Sequence, residues 1–434
     1  MITALLAAAA SCAIASAQPV DATSAAALKA AGWRSLSGSD AGTLWRGYKQ
    51  RSMPAKGWTW SDGVLTHAAG AGGGDIITTD QFGDFEFVCQ FRTAPKANSG
   101  IIYRLSEKHD APWMTGPEFQ VLDDEGNNLK PDHQHSAGAL YDIFGPAESK
   151  KLLPAGQWND ARIRLRNGVL QHWLNGHKVV ESLCFDESGR PTPEWTARIA
   201  ASKFKGYEGF GVQTRGHIAL QDHGDEVSYR NIMVRDLDAP LPGEVALFNG
   251  KDLTGWQAFV PDLAAQGKDQ ASVWRVENGV LICSGSPAGY IRTTTPHTSY
   301  VLRLQWRFNP VTKQAGNSGV LLRVTGPDKV WPKSIEAQLH SGNAGDFWNI
   351  DNFTMTTDPA RTKGRNTRKS RAAERPVGEW NEYEIIVNKG DVMLKVNGEE
   401  VNFAYNCEVI PGFIALQSEG AEIHFRNIRL APLD

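Results

Sequence analysis

The amino-acid sequence predicts an all-β protein built from two β-sandwich domains in tandem. Three observations lead to this prediction: 43 Gly and 22 Pro among 434 residues, segments in which apolar and polar residues alternate, and motifs that occur twice. Alternation with a period of two is the pattern of a half-buried strand, and Gly and Pro provide turns between short strands. The repeated motifs indicate two copies of one module.

The repeated motifs keep their order in both halves of the chain. The sequences N-S-G, G-x-W-N, I-A-L-Q and R-N-I begin at positions 98, 156, 218 and 230, and again at 317, 378, 414 and 426. We therefore assign the first domain to residues 30–237 and the second domain to residues 243–434. The linker, residues 238–243, contains two Pro and one Gly, which fits a short and fairly stiff connection.

Short alternating segments in each domain predict the individual strands. The clearest of them are Phe85–Phe91, Ala161–Leu165, Tyr300–Phe308 and Tyr383–Val387. Asn-Gly pairs predict tight hairpins, because both central positions of a type I′ turn need a positive φ. These pairs begin at Asn167, Asn175, Asn278 and Asn397. Many short strands with such turns predict antiparallel jelly-roll sandwiches, and one short helix is predicted at Ser24–Ala31.

The N-terminus reads as an export signal. An apolar stretch ends in the small residues Ala15, Ser16 and Ala17, as signal peptidase requires. Residues 1–17 are thus predicted to be a signal peptide and the protein to be periplasmic or secreted. A buried first helix is the alternative, and Cys12 could instead be the acylation site of a lipoprotein. No other segment approaches the roughly 20 apolar residues of a membrane span, so we expect no transmembrane segment.

Charge and cysteine content exclude further classes. A formal net charge of −3 argues against general nucleic-acid binding, which needs many uncompensated Lys and Arg contacts. A basic run at residues 361–375 reads as a nucleic-acid patch or as a solvated insertion loop, and the lack of interleaved aromatic residues favours the loop. Four cysteines outside the signal, Cys89, Cys184, Cys283 and Cys407, form no C-x-x-C pair. Metal or redox chemistry is therefore not expected from them.

Two predicted strands carry an acid and an amide on the same face. Glu118 and Gln120 alternate with Phe119 in the first domain, and Glu336 and Gln338 repeat the pattern in the second. Side chains two residues apart in a strand point to the same side. The pair could therefore face a ligand, with His340 at the next position in the second domain. A solvated edge strand is the alternative.

The segment that follows Gln120 is rich in metal-binding residue types. Asp123, His133 and His135 could hold one divalent metal such as Mn, Ca or Zn, because imidazole and carboxylate groups suit such ions. The H-x-H motif is weak by itself, and exposed loop histidines are the alternative. The second domain has no paired histidines at this point, so the two sites cannot be chemically identical.

Two further pairs of residues have a functional and a structural interpretation. Asp222 and His223 follow I-A-L-Q and could form a general base, or they could be a turn with a capping Asp and a solvated His. Ser418 and Glu419 stand at these positions in the second domain. Arg104 and Arg323 come at the ends of the N-S-G strands, where a guanidinium could orient a hydroxyl group or form a structural salt bridge.

Taken together, these strings resemble the 3-keto-disaccharide hydrolase domain family. The resemblance rests on N-S-G-I-I-Y-R, E-F-Q-V-L-D, A-G-A-L-Y-D and H-I-A-L-Q-D-H-G in the first domain, and on I-E-A-Q-L, G-D-F-W and I-A-L-Q-S-E-G in the second. It covers nearly all of the chain after the signal. It implies concanavalin A-like jelly rolls and cleavage of glycosides whose sugar was first oxidised at C3 by a separate dehydrogenase.

The chemistry implied by the resemblance assigns roles to the candidate residues. A ketone at C3 acidifies the C2 hydrogen, so a base can remove it and expel the group at C1, after which water adds. His223, assisted by Asp222, or His135 would be the base, Glu118 the acid or an orienting group, and a metal or Arg104 the electrophile. No organic cofactor is needed. The predicted substrate-binding residues are Arg104, Gln120, Tyr141, Arg323, Glu336 and Gln338.

Two other functional classes remain open from the sequence. The same jelly roll serves lectins, so a carbohydrate-binding protein without catalysis is the main alternative, and a scaffold for a partner oxidoreductase is another. In the second domain, catalysis is in doubt because it lacks counterparts of His133, His135 and His223. That domain could bind sugar, cover the first site or retain a different activity, and Trp331, Phe347 and Trp348 could stack on a pyranose ring.

Overall fold

The computed structural model describes residues 28–37, 41–261 and 263–433. The predicted signal peptide, Cys12 and the start of the predicted helix at Ser24–Ala31 lie outside the described residues, and residues 28–30 of that helix are helical. The chain divides into two compact units between Pro240 and Leu241. None of the helices in the described residues is long and apolar enough to span a bilayer.

The first domain is a sandwich of two antiparallel sheets. Among the described residues, the larger sheet contains β1 (Trp33–Ser35), β3 (Trp58–Ser61), β4 (Val64–His67), β6 (Phe85–Thr93), β9 (Asn159–Arg166), β10 (Val169–Leu174), β11 (His177–Leu183) and β13 (Val227–Asp236). The smaller contains β2 (Trp45–Gly47), β5 (Ile76–Thr78), β7 (Asn98–Leu105), β8 (Glu118–Leu122) and β12 (His217–Leu220), in the order β2-β5-β12-β7-β8. The α-helices are α1 (Ala41–Leu44) and α2 (Pro193–Ala201), and 3₁₀ turns lie at Pro112–Met114 and Lys203–Gly206.

The second domain is also a sandwich of two antiparallel sheets, and its sheets contain more strands. In its described residues, one sheet contains β14 (Val245–Ala246), β16 (Trp274–Glu277), β17 (Val280–Cys283), β19 (Tyr300–Phe308), β23 (Thr356–Thr357), β26 (Asn381–Asn388), β27 (Asp391–Val396), β28 (Glu399–Tyr405) and β30 (Ile423–Pro432). The other contains β15 (Trp256–Phe259), β18 (Gly289–Thr293), β20 (Gly319–Thr325), β21 (Lys333–Gln338), β22 (Phe347–Ile350), β24 (Thr362–Lys363), β25 (Asn366–Thr367) and β29 (Phe413–Ser418). Two 3₁₀ turns lie at Ala264–Gln266 and Gln270–Ser272.

The predicted fold class, strands and hairpins are confirmed. The segment Tyr300–Phe308 coincides with β19, and the other three predicted strands lie inside β6, β9 and β26. The four Asn-Gly pairs connect adjacent antiparallel strands, and both residues of each pair have a positive φ. The core of each domain lies between its two sheets, where alternate residues such as Phe119 and Val121 of β8 are fully buried. The four cysteines in the described residues are buried and free.

The G-x-W-N motif has the same structural task in both domains. The side-chain oxygen of Asn159 accepts hydrogen bonds from the Leu153 amide and from the Asn175 side chain, each 2.8 Å long. Asn381 accepts the same pair of bonds from the Arg375 amide and the Asn397 side chain. The motif therefore ties a loop to a hairpin turn and stabilises the fold.

The R-N-I motif supports the neighbouring tryptophan. The guanidinium of Arg230 lies 4.2 Å from the ring centroid of Trp158, and that of Arg426 lies 4.0 Å from the ring centroid of Trp380. Cation–π contacts of this kind contribute about 0.5–2 kcal/mol each. R-N-I is therefore a structural motif as well.

The basic run at residues 361–375 is an ordered extension of a sheet. Strands β24 and β25 form a hairpin whose second strand pairs with β22. Arg361 donates to Asp358 over 2.8 Å, and the Lys369 ammonium donates to the carbonyl oxygen of Gly342. These contacts fit an insertion that adds two strands to the sheet. The added strands lie beyond β22, which pairs with the strand of Glu336.

Candidate active site

The N-S-G motif makes room for the acid of the neighbouring strand. A Cβ atom on Gly100 would lie 2.0 Å from Oε1 of Glu118, so only glycine allows the carboxyl group to lie there. The Ser99 hydroxyl donates to the main-chain oxygen of Gln221 over 2.7 Å and so holds the end of β12 beside β7. The motif thereby positions Glu118 and Gln221 next to each other.

Glu118 lies in a polar pocket on the face of the smaller sheet that points away from the core. The pocket has a volume of about 240 Å³. Its lining residues are Asn98, Trp113, Glu118, Gln120, Tyr141, Lys203, Gln221 and His223. The structure therefore brings together four of the predicted site residues, Glu118, Gln120, Tyr141 and His223. Gln120 donates to the Asn98 side chain over 3.1 Å.

The environment of Glu118 favours the protonated form of its carboxyl group. The residue is only 5% exposed, and burial raises its pKa to about 8, with Asp75 raising it further and Lys203 opposing the shift. Burial raises the pKa because the charged carboxylate loses its hydration. A protonated carboxyl group in a pocket can donate a proton to a reacting oxygen.

Lys203 supplies the positive charge of the pocket. Its ammonium nitrogen lies 4.1 Å from the ring centroid of Tyr141 and 5.5 Å from that of Trp113. Burial lowers its pKa, while the negative charges of Glu118 and Asp142 oppose that shift. The Lys203 amide donates to Oδ2 of Asp142 over 2.7 Å, which fixes the 3₁₀ turn at the pocket.

His135 lies behind this pocket. Its Nε2 atom contacts Oδ1 of Asp142 at 2.7 Å, and its ring stacks on Tyr141 at a centroid distance of 4.5 Å. Burial raises the pKa of Asp142, but the hydrogen bonds from His135 and from the Lys203 amide outweigh it, so that the pKa is below its ordinary value. Because His135 contacts Tyr141 and Asp142 and does not line the pocket, its place fits a positioning residue.

His223 is exposed at the mouth of the pocket, on the loop after β12. Asp222 does not pair with it: the Asp222 carboxylate contacts His67 at 3.1 Å and accepts the amides of Gly74 and Gly224, each at 2.9 Å. Asp222 therefore holds the loop on either side of His223, in agreement with the capping interpretation of this Asp.

The three predicted metal ligands do not converge. Asp123 is buried and accepts the Lys96 amide over 2.8 Å. His135 is bonded to Asp142, and His133 accepts the His135 amide through Nδ1 at 3.1 Å. Across the described ranges, no group of three or more His, Cys, Asp or Glu side chains is placed to hold a metal ion. These residues thus do not fit the predicted metal site, and we derive no step through a metal.

Arg104 and Arg323 face away from the two acids for a local reason. Both have a positive φ, 48° and 56°, and both lie where the strand register shifts, which is a β-bulge that redirects a side chain. Arg104 donates to Asp84 over 2.9 Å. Arg323 donates to the main-chain oxygens of Glu408 and Lys389. The salt-bridge alternative thus describes Arg104, and Arg323 is a structural anchor.

The second domain also has a buried acid, Glu336. The side chain of Gln338, two residues further on, bonds to the neighbouring main chain. Glu336 is 5% exposed, and burial raises its pKa to about 8, with Glu419 raising it further and Arg365 opposing the shift. The side-chain oxygen of Gln338 accepts the amides of Leu339 and His340 at 2.8 Å. His340 is exposed, and Gln338 therefore caps the strand end.

Several pocket residues could not be found from the sequence motifs. Lys203, Trp113 and Asn98 line the pocket, and Asp75 lies close enough to Glu118 to raise its pKa. Asn98 and Gln221, which also lines the pocket, carried a signal, since they begin and end the repeated N-S-G and I-A-L-Q motifs. Lys203 and Trp113 belong to 3₁₀ turns in connecting segments, which have no periodic pattern.

Comparison with known proteins places this chain of two β-sandwiches among the glycoside hydrolases. More particularly, the chain belongs to the family of 3-keto-alpha-glucoside-1,2-lyase-like domains, whose family model matches residues 32–235 and 243–431. The family resemblance of the sequence is thereby confirmed.

One curated relative agrees with this assignment. A 3-keto-disaccharide hydrolase of Bacteroides thetaiotaomicron is 32% identical over 224 residues, which are 45% of this chain and 74% of that protein. Two crystal structures from Parabacteroides distasonis, provisionally described as glycosyl hydrolases, are also similar. One is 30% identical with a TM-score of 0.42 and covers 48% of this chain and 96% of its own. The other is 27% identical with a TM-score of 0.35 and covers 47% and 99%.

Proposed function

We propose that the first domain cleaves 3-keto-glycosides by elimination followed by hydration. The observation that carries the proposal is the buried Glu118 carboxyl group, which lines one pocket with the Lys203 ammonium and the His223 imidazole. These three groups are an acid, a cation and a base, which are the groups that this elimination needs. The 3-keto-disaccharide hydrolase activity named for the Bacteroides relative supports the same substrate class.

Each group has a defined task in the reaction. His223 takes the C2 proton, and the C2–H electrons form an enolate whose C3 oxygen faces the Lys203 ammonium. The enolate then expels the C1 substituent, and Glu118 protonates the leaving oxygen. Water adds across the resulting C1=C2 bond to give the free 3-keto-sugar. No oxidant is consumed, because oxidation at C3 has already been done by a separate dehydrogenase that supplies the substrate.

The test is release of methanol from methyl 3-keto-glucoside by the purified full chain, because an alkoxide leaving group needs a proton from the acid. Glu118→Gln removes the transferable proton while keeping the shape of the side chain, and we expect kcat to fall by about 10²-fold or more. The matched control is Glu125→Gln, an exposed carboxylate of the next loop, which should keep wild-type turnover. Cleavage that survives Glu118→Gln, or that is equally fast on the unoxidised glucoside, contradicts the proposal.

Metal removal is a second arm of the same assay. Because Asp123, His133 and His135 do not converge, we expect EDTA to leave turnover unchanged. Activity that EDTA abolishes and Mn, Ca or Zn restores would show that a metal site forms in solution. Saturable sugar binding without any turnover would favour the carbohydrate-binding alternative.

A further inference from the structure

The second domain has a carboxylate at the position of His223. The I-A-L-Q motif that ends in Gln221 is followed by Asp222 and His223 in the first domain, whereas the motif that ends in Gln417 is followed by Ser418 and Glu419. Glu419 accepts a hydrogen bond from the Asn317 side chain and is close enough to Glu336 to raise the pKa of that carboxyl group. The second domain thus places two carboxyl groups where the first has an acid and a base.

This cluster contains buried polar atoms that lack a protein partner. Among the described residues, Oε1 of Glu336, Oε1 of Gln417 and Oδ1 of Asn317 have no hydrogen-bond partner. Glu336 and Gln417 are 5% and 1% exposed, and both Oε1 atoms lie 2.4 Å from the point that a Cβ of Gly319 would occupy. An unsatisfied buried polar atom costs about 1–3 kcal/mol. Convergent oxygens of this kind are best satisfied by a ligand that carries several hydroxyl groups.

A cation and an aromatic ring complete the cluster. Glu336 lies directly opposite Trp348 in the register of β21 and β22, so both side chains point to the same face of the sheet. Trp348 is half-buried, which leaves part of its indole for contact with a sugar ring. Arg365, on the hairpin beside β22, lies close enough to Glu336 to lower the pKa of that carboxyl group. Arg365, which is exposed, thus supplies a positive charge on this side of the cluster.

We propose that the second domain is a second catalytic site for 3-keto-glycosides, in which Glu419 replaces histidine as the base that removes the C2 proton. This inference rests on the proposed function of the first domain, because it assigns the same elimination to a different set of groups. The ligand class follows from the unsatisfied oxygens, which call for hydroxyl donors, and from the arrangement of an acid, a base and a cation around them.

The step balances without a further reactant. The Glu419 carboxylate accepts the C2 proton, and the C2–H electron pair becomes the enolate, whose C3 oxygen faces the Arg365 guanidinium. The enolate expels the C1 oxygen, which takes the proton of the Glu336 carboxyl group. Glu419 ends protonated and Glu336 ionised, and a proton returned through solvent restores both groups before water adds to the C1=C2 bond.

The experiment isolates the second domain within the full chain. A background variant, Glu118→Gln with His223→Ala, silences the first domain, and exchange of the C2 hydrogen of 4-nitrophenyl 3-keto-glucoside is followed by NMR in D₂O alongside 4-nitrophenol release. We expect residual exchange and release in this background. Adding Glu419→Gln should lower exchange at least about tenfold, whereas Glu419→Asp, which keeps a carboxylate, should retain part of it.

The controls separate this inference from the proposed function. Glu379→Gln, an exposed carboxylate in the second domain, should leave the residual exchange unchanged. If the wild type is active but the background variant shows neither exchange nor release, the second site is refuted and the first stands. If the background variant keeps full activity that Glu419→Gln removes, the proposed function of the first domain fails and the second site is supported. Exchange that persists in Glu419→Gln, or a wild type without activity, overturns the inference.

Discussion

The two domains share the motifs that stabilise the fold. They differ in the side chains that surround the buried acid. Ser99 and Ser318 donate to the main-chain oxygens of Gln221 and Gln417 over 2.7 and 2.8 Å. The buried acid is also common to both domains. By contrast, the second residue after I-A-L-Q is His223 in one domain and Glu419 in the other. The shared frame therefore fixes the acid and leaves its partners free to change.

The cation beside the acid comes from unrelated segments in the two domains. Lys203 lies in the segment between β11 and β12, in a 3₁₀ turn that follows α2. Arg365 lies on the hairpin formed by β24 and β25, after β22. Both cations thus come from connecting segments, which tolerate insertions better than strands do, and not from the repeated strands.

The largest expected effect tests whether these cations are equivalent. Lys203→Ala should lower turnover of 4-nitrophenyl 3-keto-glucoside by roughly 10²-fold, as loss of a group that stabilises a developing oxyanion does. Both lysines are exposed and belong to the same 3₁₀ turn, but Lys205 does not line the pocket, so Lys205→Ala is the control and should be close to wild type. Arg365→Ala should affect only the activity that remains when the first domain is silenced. Equal losses from Lys203→Ala and Lys205→Ala would show that Lys203 acts only through general charge.

The next effect tests the glycine that the side chain of the buried acid covers in both domains. Gly100→Ala and Gly319→Ala would each set a Cβ against a buried carboxyl group, at 2.0 and 2.4 Å from an Oε1 atom. We expect a loss of about 1–3 kcal/mol in the free energy of unfolding, as overpacking typically causes, measured by urea denaturation. Gly100→Ala should also lower turnover because it displaces Glu118. Gly42→Ala, where nothing lies within 4 Å of the added Cβ, is the control, and an equal loss there would refute the argument from space.

The sequence predicted the features that depend on local patterns. Alternation placed Glu118 and Gln120 on one face of β8, and the Asn-Gly pairs marked the hairpins, because both features follow from backbone geometry within a few residues. Arg104 shows where the local pattern fails. It stands two residues after Ile102, which lies opposite Glu118, so alternation would put it on the same face. A bulge with a left-handed backbone turns it to Asp84 instead.

The remaining site residues depend on contacts that are distant in the sequence. Lys203 reaches Glu118 from a segment without periodic pattern, and its place is fixed by a hydrogen bond to Asp142, 61 residues away. The Asp222 carboxylate contacts the ring of His67, which lies far from it near the start of the domain sequence. No rule of sequence spacing connects such residues. Only the folded chain shows that Lys203 belongs to the site and that the Asp222 carboxylate is bound to His67.

The last prediction tests whether both buried acids are protonated in the folded chain. Burial raises the pKa of Glu118 and of Glu336 to about 8, against about 4.3 for an unperturbed Glu. Below the lower value, both states are protonated and folding does not depend on pH through these groups. Between the two values only the unfolded chain is ionised, so the free energy of unfolding falls as the pH rises, and it levels off above about pH 8.

Replacement by glutamine removes this penalty. Glu118→Gln and Glu336→Gln should each raise the free energy of unfolding at pH 8 relative to pH 5, by an amount on the order of a few kcal/mol, measured by urea denaturation at both values. Glu125→Gln, in an exposed position, should change the stability equally at pH 5 and pH 8. If only one of the two variants raises the free energy of unfolding in this way, the other acid is ionised in the folded chain. That acid could then not protonate a leaving group, and the two sites would differ in function.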